Sequence, residues 1–343
     1  MRVTELTESN EKWIRFLKEK KHLVFHRPEW KQFIEDSFGI SMKYFAVEED
    51  DKIRMIFPMG IIDSLLFGKR LISVPYLEYG GFAGESRYVQ FLIEHVKQLY
   101  SSYDYIQVRE GVPENYLVNN GFKKVEEASR FILNLDAEEK IWGSIDKQKR
   151  KAVRKAEEMG VEVRDIGYNE VSNVYRLYSH DMKKFGVPAF PIKYFDNLWV
   201  YMIQNGLGKA LGAYIDGTLI AALLGFTYKD RVHITISVSK KGYLDYRPND
   251  ILHWEFIKWA IQEGYKIFDF GHVKKGTGHF DFKEKWNTEL KPLNNYYLFL
   301  NKKEVTNLDK DSKKYKFLRS VWRKTPSFVL NKIGPKIRER IGY

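Results

Sequence analysis

The sequence contains no cysteine, which removes disulfides, thiolate metal ligands and cysteine nucleophiles together, and with them any need for an oxidising compartment. Its ten prolines in 343 residues are too few for a proline-rich linker or a fibrous repeat. Long hydrophobic runs are also missing. The longest uncharged apolar stretch, Gly217 to Tyr228 (GTLIAALLGFTY), is too short to span a bilayer and reads as a buried strand. The opening MRVTELTESNEKW has no apolar stretch behind its basic residue, so no secretory signal is expected and a soluble, cytoplasmic location is.

What is present is globular in composition: 44% hydrophobic, 15% aromatic and 30% charged residues. At about 100 to 200 residues per domain, the length suggests two domains. The net charge of +12 is unevenly spread, because Lys310 to Tyr343 carries eleven Lys or Arg against Asp311 and Glu339. The body is nearly neutral and the tail is basic. Within the body one basic cluster stands out, Asp146 to Lys155 (DKQKRKAVRK).

Two passages share one order of elements. In the first, YFAVEEDDKIRMIFPMGII (Tyr44 to Ile62) reads as a hairpin, followed by further strands through SLLFGKRLISVPYLEYGG, an amphipathic helix near Arg87 to Tyr100 and the strand Tyr105 to Val108. In the second, KALGAYIDGTLIAALLGFTYK repeats the hairpin with Asp-Gly at its turn. There VHITISVS, a helix from about Asn249 to Glu263, the strand Lys266 to Phe270 and a last strand Asn295 to Leu300 follow. The two align at an offset of about 160 to 170 residues, as a duplicated unit would. Expected boundaries are 1–145, 146–302 entered through a basic helix, and a basic amphipathic tail, 303–343.

The string SKKGYLDYRPNDILHWEFIKWAIQEGYKIFDFG, followed by HFDFKEKWNTELKPLNNYYLFL, resembles the FemAB family of peptidyltransferases and its FemAB-like relatives in the GNAT superfamily of acyltransferases. FHRPEW near the start and KQKRKAVRKAEEMGVEV at the junction fit the same pattern, and the resemblance covers about Phe25 to Leu300. It implies an α/β (α+β) fold of two tandem GNAT-like domains, each a mixed, mostly antiparallel sheet flanked by helices. The implied activity is transfer of an aminoacyl or acyl group to an amine of a cell-wall or envelope precursor peptide. Aminoacyl-tRNA or acyl-CoA would be the donor cosubstrate, with no tightly bound cofactor. The chain lacks the long coiled-coil arm that some bridge-forming members link to tRNA. An ordinary acetyl-CoA-dependent N-acetyltransferase, or a noncatalytic module binding an anionic glycan precursor or RNA, remain as alternatives.

Such chemistry needs a neutral attacking nitrogen, an oxyanion donor and a clamp on both substrates. In YLDYRPND, Arg247 and Asn249 stand where a helix begins, a place suited to donor phosphates; Asn249 or Asp250 would also cap that helix. Asp269, at the end of KIFDFG beside Gly271, would orient the amine or take its proton, or would only satisfy backbone donors at a strand end. Lys283 in HFDFKEKW would stabilise the oxyanion or hold a phosphate, with Trp286 as an apolar wall, or would be one of several solvated charges.

Tyr76, Glu78 and Tyr79 in SVPYLEYGGFAG, on a strand leaving into a Gly-Gly turn, are acceptor-side candidates together with Arg109. Bridge-forming relatives bind their acceptor on the first half. Surface tyrosines on an edge strand are the other reading. Trp30 in FHRPEW reads equally as helix core. Lys147, Arg150, Lys151, Arg154 and Lys155 line one helix face, open to a polyanion or simply solvated. Lys184 and the Gly-Val-Pro turn in MKKFGVPAFPIKYF make a lid or a plain loop. The tail places Phe317, Trp322 and Phe328 among its basic residues, as an interfacial helix on an anionic membrane would, or one packed on the first half; Pro326 and Pro335 exclude one long helix. No metal is expected, since Asp269, His272, His279 and Asp281 lack the HExxH spacing, and GHVKKGTGH lacks the Gly-Lys-Ser/Thr of a P-loop.

Overall fold

A computed structural model describes residues 1–7, 10–20, 22–64, 68–273, 276–304 and 313–342. In chain order the elements are β1 (Arg2–Glu5), α1 (Glu11–Glu19), α2 (Pro28–Phe38), β2 (Ser41–Glu49), β3 (Lys52–Ser64), β4 (Gly68–Ile72), β5 (Ala83–Gly84), α3 (Val89–Leu99), β6 (Tyr105–Val108), α4 (Glu114–Val118) and β7 (Lys123–Asn134). There follow α5 (Glu138–Ser144), α6 (Lys147–Glu158), β8 (Glu162–Asp165), α7 (Val171–Phe185), α8 (Ile192–Asn197), β9 (Gly208–Ile215), β10 (Thr218–Tyr228) and β11 (Arg231–Ser239). The last are α9 (Pro248–Gln262), β12 (Ile267–Val273), α10 (Gly278–Glu284), β13 (Glu289–Phe299), α11 (Lys313–Lys324) and α12 (Ser327–Glu339).

The expected hairpins form for the expected reason. Asp216 and Gly217 take φ of 47° and 70°, and Asp50 and Asp51 take 50° and 59°, the left-handed pair that a two-residue turn needs to match strand twist. Helix α6 begins where Asp146 accepts the Gln148 N–H at 2.6 Å, satisfying one orphan donor of the first turn. Gly39 and Gly186 end α2 and α7 in the left-handed conformation, which glycine adopts at least steric cost.

The chain divides into two compact units. One comprises residues 1–127, 293–318 and 332–343, the other 128–292 and 319–331. In the first, strands run in the order β1-β2-β3-β4-β6-β13, with β4 and β6 parallel. Leu71, Ile106, Val108 and Leu298 pack there against Val89, Leu92, Ile93 and Val96 of α3. In the second, the order is β7-β12-β11-β10-β9-β8, with β11 and β12 parallel. Its core sets Leu223, Val232, Phe268 and Phe270 against Ile251, Leu252, Phe256 and Ile257 of α9. Each such side chain, fully buried, contributes on the order of 1.5–3 kcal/mol.

Hairpin, strand, long helix and a strand parallel to the one before the helix therefore occur twice. The bounds nevertheless differ from 1–145 and 146–302. The strand after α4, β7, is hydrogen-bonded to β12 from Ser129 to Asn134, and the strand after α10, β13, is hydrogen-bonded to β6 from Tyr296 to Phe299. Each sheet is thus completed by a strand that follows the other unit's parallel strand in sequence. Backbone pairing, rather than chain order, sets the division.

Two local expectations are corrected. Ser73 to Tyr79 is not a strand but an irregular loop in which Tyr76 and Tyr79 are buried, so neither is a surface tyrosine. Pro335 lies inside α12 rather than ending it.

Candidate functional site

The second unit brings Asp181, Lys184 and Lys283 within electrostatic reach of His279. Strands β11 and β12 pair over only three positions, the last His233 opposite Asp269. Beyond this β11 runs on to Ser239 and β12 to Val273. The ladder between β10 and β11 also shifts, Gly225 opposing Ile234 and Leu224 opposing Ile236, so that Thr235 is skipped. Bulges of this kind re-aim main chain and occur preferentially beside active sites.

At the far end of β11, Asp181 of α7 accepts the Ser239 N–H. The Ser239 hydroxyl accepts an N–H from the Asn249 side chain at 3.1 Å. One turn further along α9, the ring of His253 is hydrogen-bonded through Nδ1 to the Asn249 carbonyl at 2.7 Å. Burial pushes the Asp181 carboxyl above the ordinary carboxylate range, against the pull of Lys184 and of His180 and His279. Burial likewise lowers His279, helped by Lys283 and Lys184 and opposed by Asp181. His279 is therefore a neutral imidazole at pH 7, able to accept a proton. The grouping Asp181, Lys184, His279 and Lys283 joins two expected residues to two that sequence reading did not select as catalytic. Asp181 and His279 lie almost a hundred positions apart, with no motif spacing to link them.

Three expected residues, Asp269, Gly271 and Lys283, come together, with Asp269 in the second of its two expected roles, satisfying a backbone donor. The β12–β7 ladder shifts between Asp269 and His272, and Gly271 takes φ 73°. Asp269 Oδ1 accepts the Gly271 N–H at 3.0 Å. Lys283 donates to the carbonyls of Phe270, Gly271 and His272 at 2.5, 3.2 and 3.0 Å. Together the two side chains clamp a bulge. Asp269 does not reach an open cleft: it is fully buried, with Arg130 Nη1 and Arg231 Nη1 each 3.5 Å from Oδ2. Trp286 is buried as well, 5.9 Å from the His253 ring and 6.0 Å from Phe270, in the core rather than at a wall of an open site.

Arg247 is exposed and is the N-cap of α9, with φ 58° and no side-chain capping bond. Neither Asn249 nor Asp250 caps that helix, because Asn249 reaches Ser239 and Asp250 is paired with Lys149 at 2.7 Å. On α6, Lys147, Lys151, Arg154 and Lys155 are exposed. Arg150 instead donates to the carbonyls of Trp142, Gly143 and Ile145. After α7 the chain is tied down, with Phe190 stacked on Tyr178 at 5.8 Å. No three Asp, Glu or His side chains among the described residues are grouped to hold a metal ion.

In the first unit, Arg109 is 4% exposed. It braces the irregular loop from inside, its Nη1 donating to the carbonyls of Val74 and Leu77. Val74 and Tyr76 sit at φ 48° and 66°, conformations that cost on the order of 1–3 kcal/mol and persist only where surroundings enforce them. His26 is buried and hydrogen-bonded to the Gly81 carbonyl at 2.8 Å, and Trp30 is core.

Residues 144–284 match the acetyltransferase (GNAT) domain family, a span that contains the whole grouping just described. The chain is similar to the crystal structure of FemX, with a TM-score of 0.72 and 14% identity over 88% of this chain and 98% of that one. It is also similar to L-PGS from Bacillus licheniformis (TM-score 0.55, 14% identity, 92% of this chain and 96% of that one). A third is a tandem GNAT protein from the clavulanic acid biosynthesis pathway (0.58, 9%, 88% and 99%). No curated protein matches in sequence. The fold is a tandem GNAT fold, similar to that of FemX and of the tandem GNAT protein. Among the described residues no helix is long and apolar enough to cross a membrane.

Proposed function

We propose that the second unit transfers an acyl or aminoacyl group from an activated donor to an amine by direct attack. The observation that carries this reading is the imidazole of His279, its ring 6.0 Å from that of Phe185 at the end of α7, in the electrostatic reach of Asp181, Lys184 and Lys283 and held toward its neutral form. The amine nitrogen bonds to the donor carbonyl carbon while His279 takes its proton. As the tetrahedral centre collapses, the C–O bond of an ester or the C–S bond of a thioester breaks, and His279 returns the proton to the leaving oxygen or sulfur. Main chain at the Thr235 bulge supplies an oxyanion donor. The exposed basic residues of α6 and Arg247 meet donor phosphates.

An amine of an anionic envelope precursor is the favoured acceptor and aminoacyl-tRNA or acyl-CoA the donor, supported by the likeness to FemX and to L-PGS. The acetyltransferase domain match supports the second reading, an acetyl-CoA-dependent N-acetyltransferase of a small amine. The deciding experiment supplies acetyl-CoA or charged tRNA with lysine-containing muropeptides or simple diamines, for the protein and for His279→Gln. Donor-dependent acylation that the variant lacks supports transfer, and which donor works selects between the readings. No turnover with either donor, with binding that salt abolishes, would leave a noncatalytic anion-binding module.

A further inference from the structure

On β4 and β6 of the first unit, Leu71, Ile106 and Val108 face the α3 core. Alternation therefore puts Arg70, Ile72, Tyr105 and Gln107 on the opposite face. Arg70 stands opposite Tyr105 and Ile72 opposite Gln107, and Tyr297 of β13 completes the row beside Gln107. This floor is polar yet closed to water: Arg70 and Gln107 are each 0% exposed. Both polar atoms of the Gln107 amide are buried without a hydrogen-bond partner, which costs on the order of 1–3 kcal/mol per group.

Residues Glu339 to Gly342, at and after the end of α12, lie against this face. Arg70 Nη2 donates to the carbonyls of Arg340 and Ile341 at 3.3 and 3.0 Å. The Tyr76 hydroxyl donates to the Glu339 carbonyl at 2.6 Å and the Tyr76 N–H to the Gly342 carbonyl at 3.2 Å. Gly342 is seated directly on Ile72 and Ile62, so that even an added methyl would meet them at 3.1 and 3.2 Å. Main-chain oxygens of the strap thus meet Arg70 and Tyr76. Two of these carbonyls occupy the Arg70 guanidinium, the group an oxyanion would use.

We propose that Arg70 and Gln107 form an oxyanion-binding site for a carboxylate or phosphate group, and that Glu339–Gly342 is a detachable strap covering it. A guanidinium meets a carboxylate or phosphate with opposite charge and a two-pronged geometry that separate carbonyls lack, and the Gln107 amide, on the same face of the neighbouring strand, would serve a second oxygen of the same group. Such a ligand competes with the strap, and the inference is independent of any transfer activity.

The test titrates inorganic phosphate and, separately, succinate into the full chain and into a chain ending at Ile337, by calorimetry. Removing residues 338–343 is expected to tighten binding of one anion about tenfold or more, and which anion gains identifies the source. In the shortened chain, Arg70→Gln is expected to abolish the gain and Gln107→Met to reduce it. A folded shortened chain that binds neither anion more tightly, or a gain that survives Arg70→Gln, overturns the proposal. Should the shortened chain not fold, hydrogen exchange of the full chain decides. Saturating anion is expected to speed exchange at Tyr76 and Ile341 at least fivefold, and Tyr76→Phe to lower the anion concentration required. Unchanged exchange overturns the proposal.

Discussion

Lys149 and Asp250 form a buried ion pair, Nζ 2.7 Å from Oδ1, with only 9% and 10% of their side chains exposed. It ties α6 to the first turn of α9, and the ammonium also lies 3.4 Å from the centre of the Phe282 ring. Burial draws the Lys149 ammonium below its ordinary value while Asp250 pulls it back up. Removing one partner strands the other charge. Lys149→Met is expected to lose about 3–5 kcal/mol of stability, and Lys149→Met with Asp250→Leu to recover most of it. Urea denaturation of both variants measures this, and a double variant no more stable than the single one would show that the pair is not coupled.

His253 makes the fold acid-sensitive. Full burial lowers it from 6.5 to about 3, opposed by its bond to Asn249 and aided by Lys149 and Lys283. Below pH 6.5 the unfolded chain binds a proton that the native state refuses, so stability is complete above that pH and falls as pH drops toward 3. The slope is about 1.4 kcal/mol per pH unit for one proton, or near 3 kcal/mol at pH 4.5. His253→Phe, stacked as His253 is on Phe270, is expected to flatten the profile between pH 6.5 and 4 in denaturation experiments.

The proposed general base has its own signature. Because His279 is lowered by burial, kcat/KM is expected to rise with pH and level off at a midpoint below 6.5. His279→Gln is expected to lower kcat/KM about 10²- to 10⁴-fold and to remove the acid limb. Asp181→Asn is expected to shift that midpoint further down, since Asp181 is the group that raises His279. A pH profile unchanged in both variants would leave the proton with another acceptor.

Lys283 separates clamp from catalyst. Lys283→Met leaves three carbonyls short of a charged donor and is expected to cost about 1–3 kcal/mol. Gly271→Ala, at φ 73°, is expected to cost about 1–2 kcal/mol. Both are read from thermal unfolding. Loss of kcat in Lys283→Met without loss of stability would return Lys283 to a catalytic role.

The pattern of elements was legible in the sequence because it rests on local chemistry. Asp216-Gly217 makes its turn wherever it stands, and α3 forms from the spacing of its apolar residues. Which residues meet was legible only in part. The sequence singles out Asp269 and Gly271 at a strand end and Lys283 separately downstream, and the three meet. Whether the carboxylate faces water or a bulge depends on the register of β7 against β12, which no residue of KIFDFG encodes. Arg109 reads as an acceptor-side candidate until the loop it braces is seen.

By itself, then, the sequence determined the elements, their duplication and the chemical types available at each strand end, since turns, caps and apolar periodicity act within a few residues. The tertiary structure alone decided that β7 and β13 complete sheets far from their sequence neighbours, that Asp181 lies near His279, and that Arg340 and Ile341 cover Arg70. Those outcomes are set by burial and backbone pairing between segments up to 270 positions apart, where local sequence carries no information about distance or solvent.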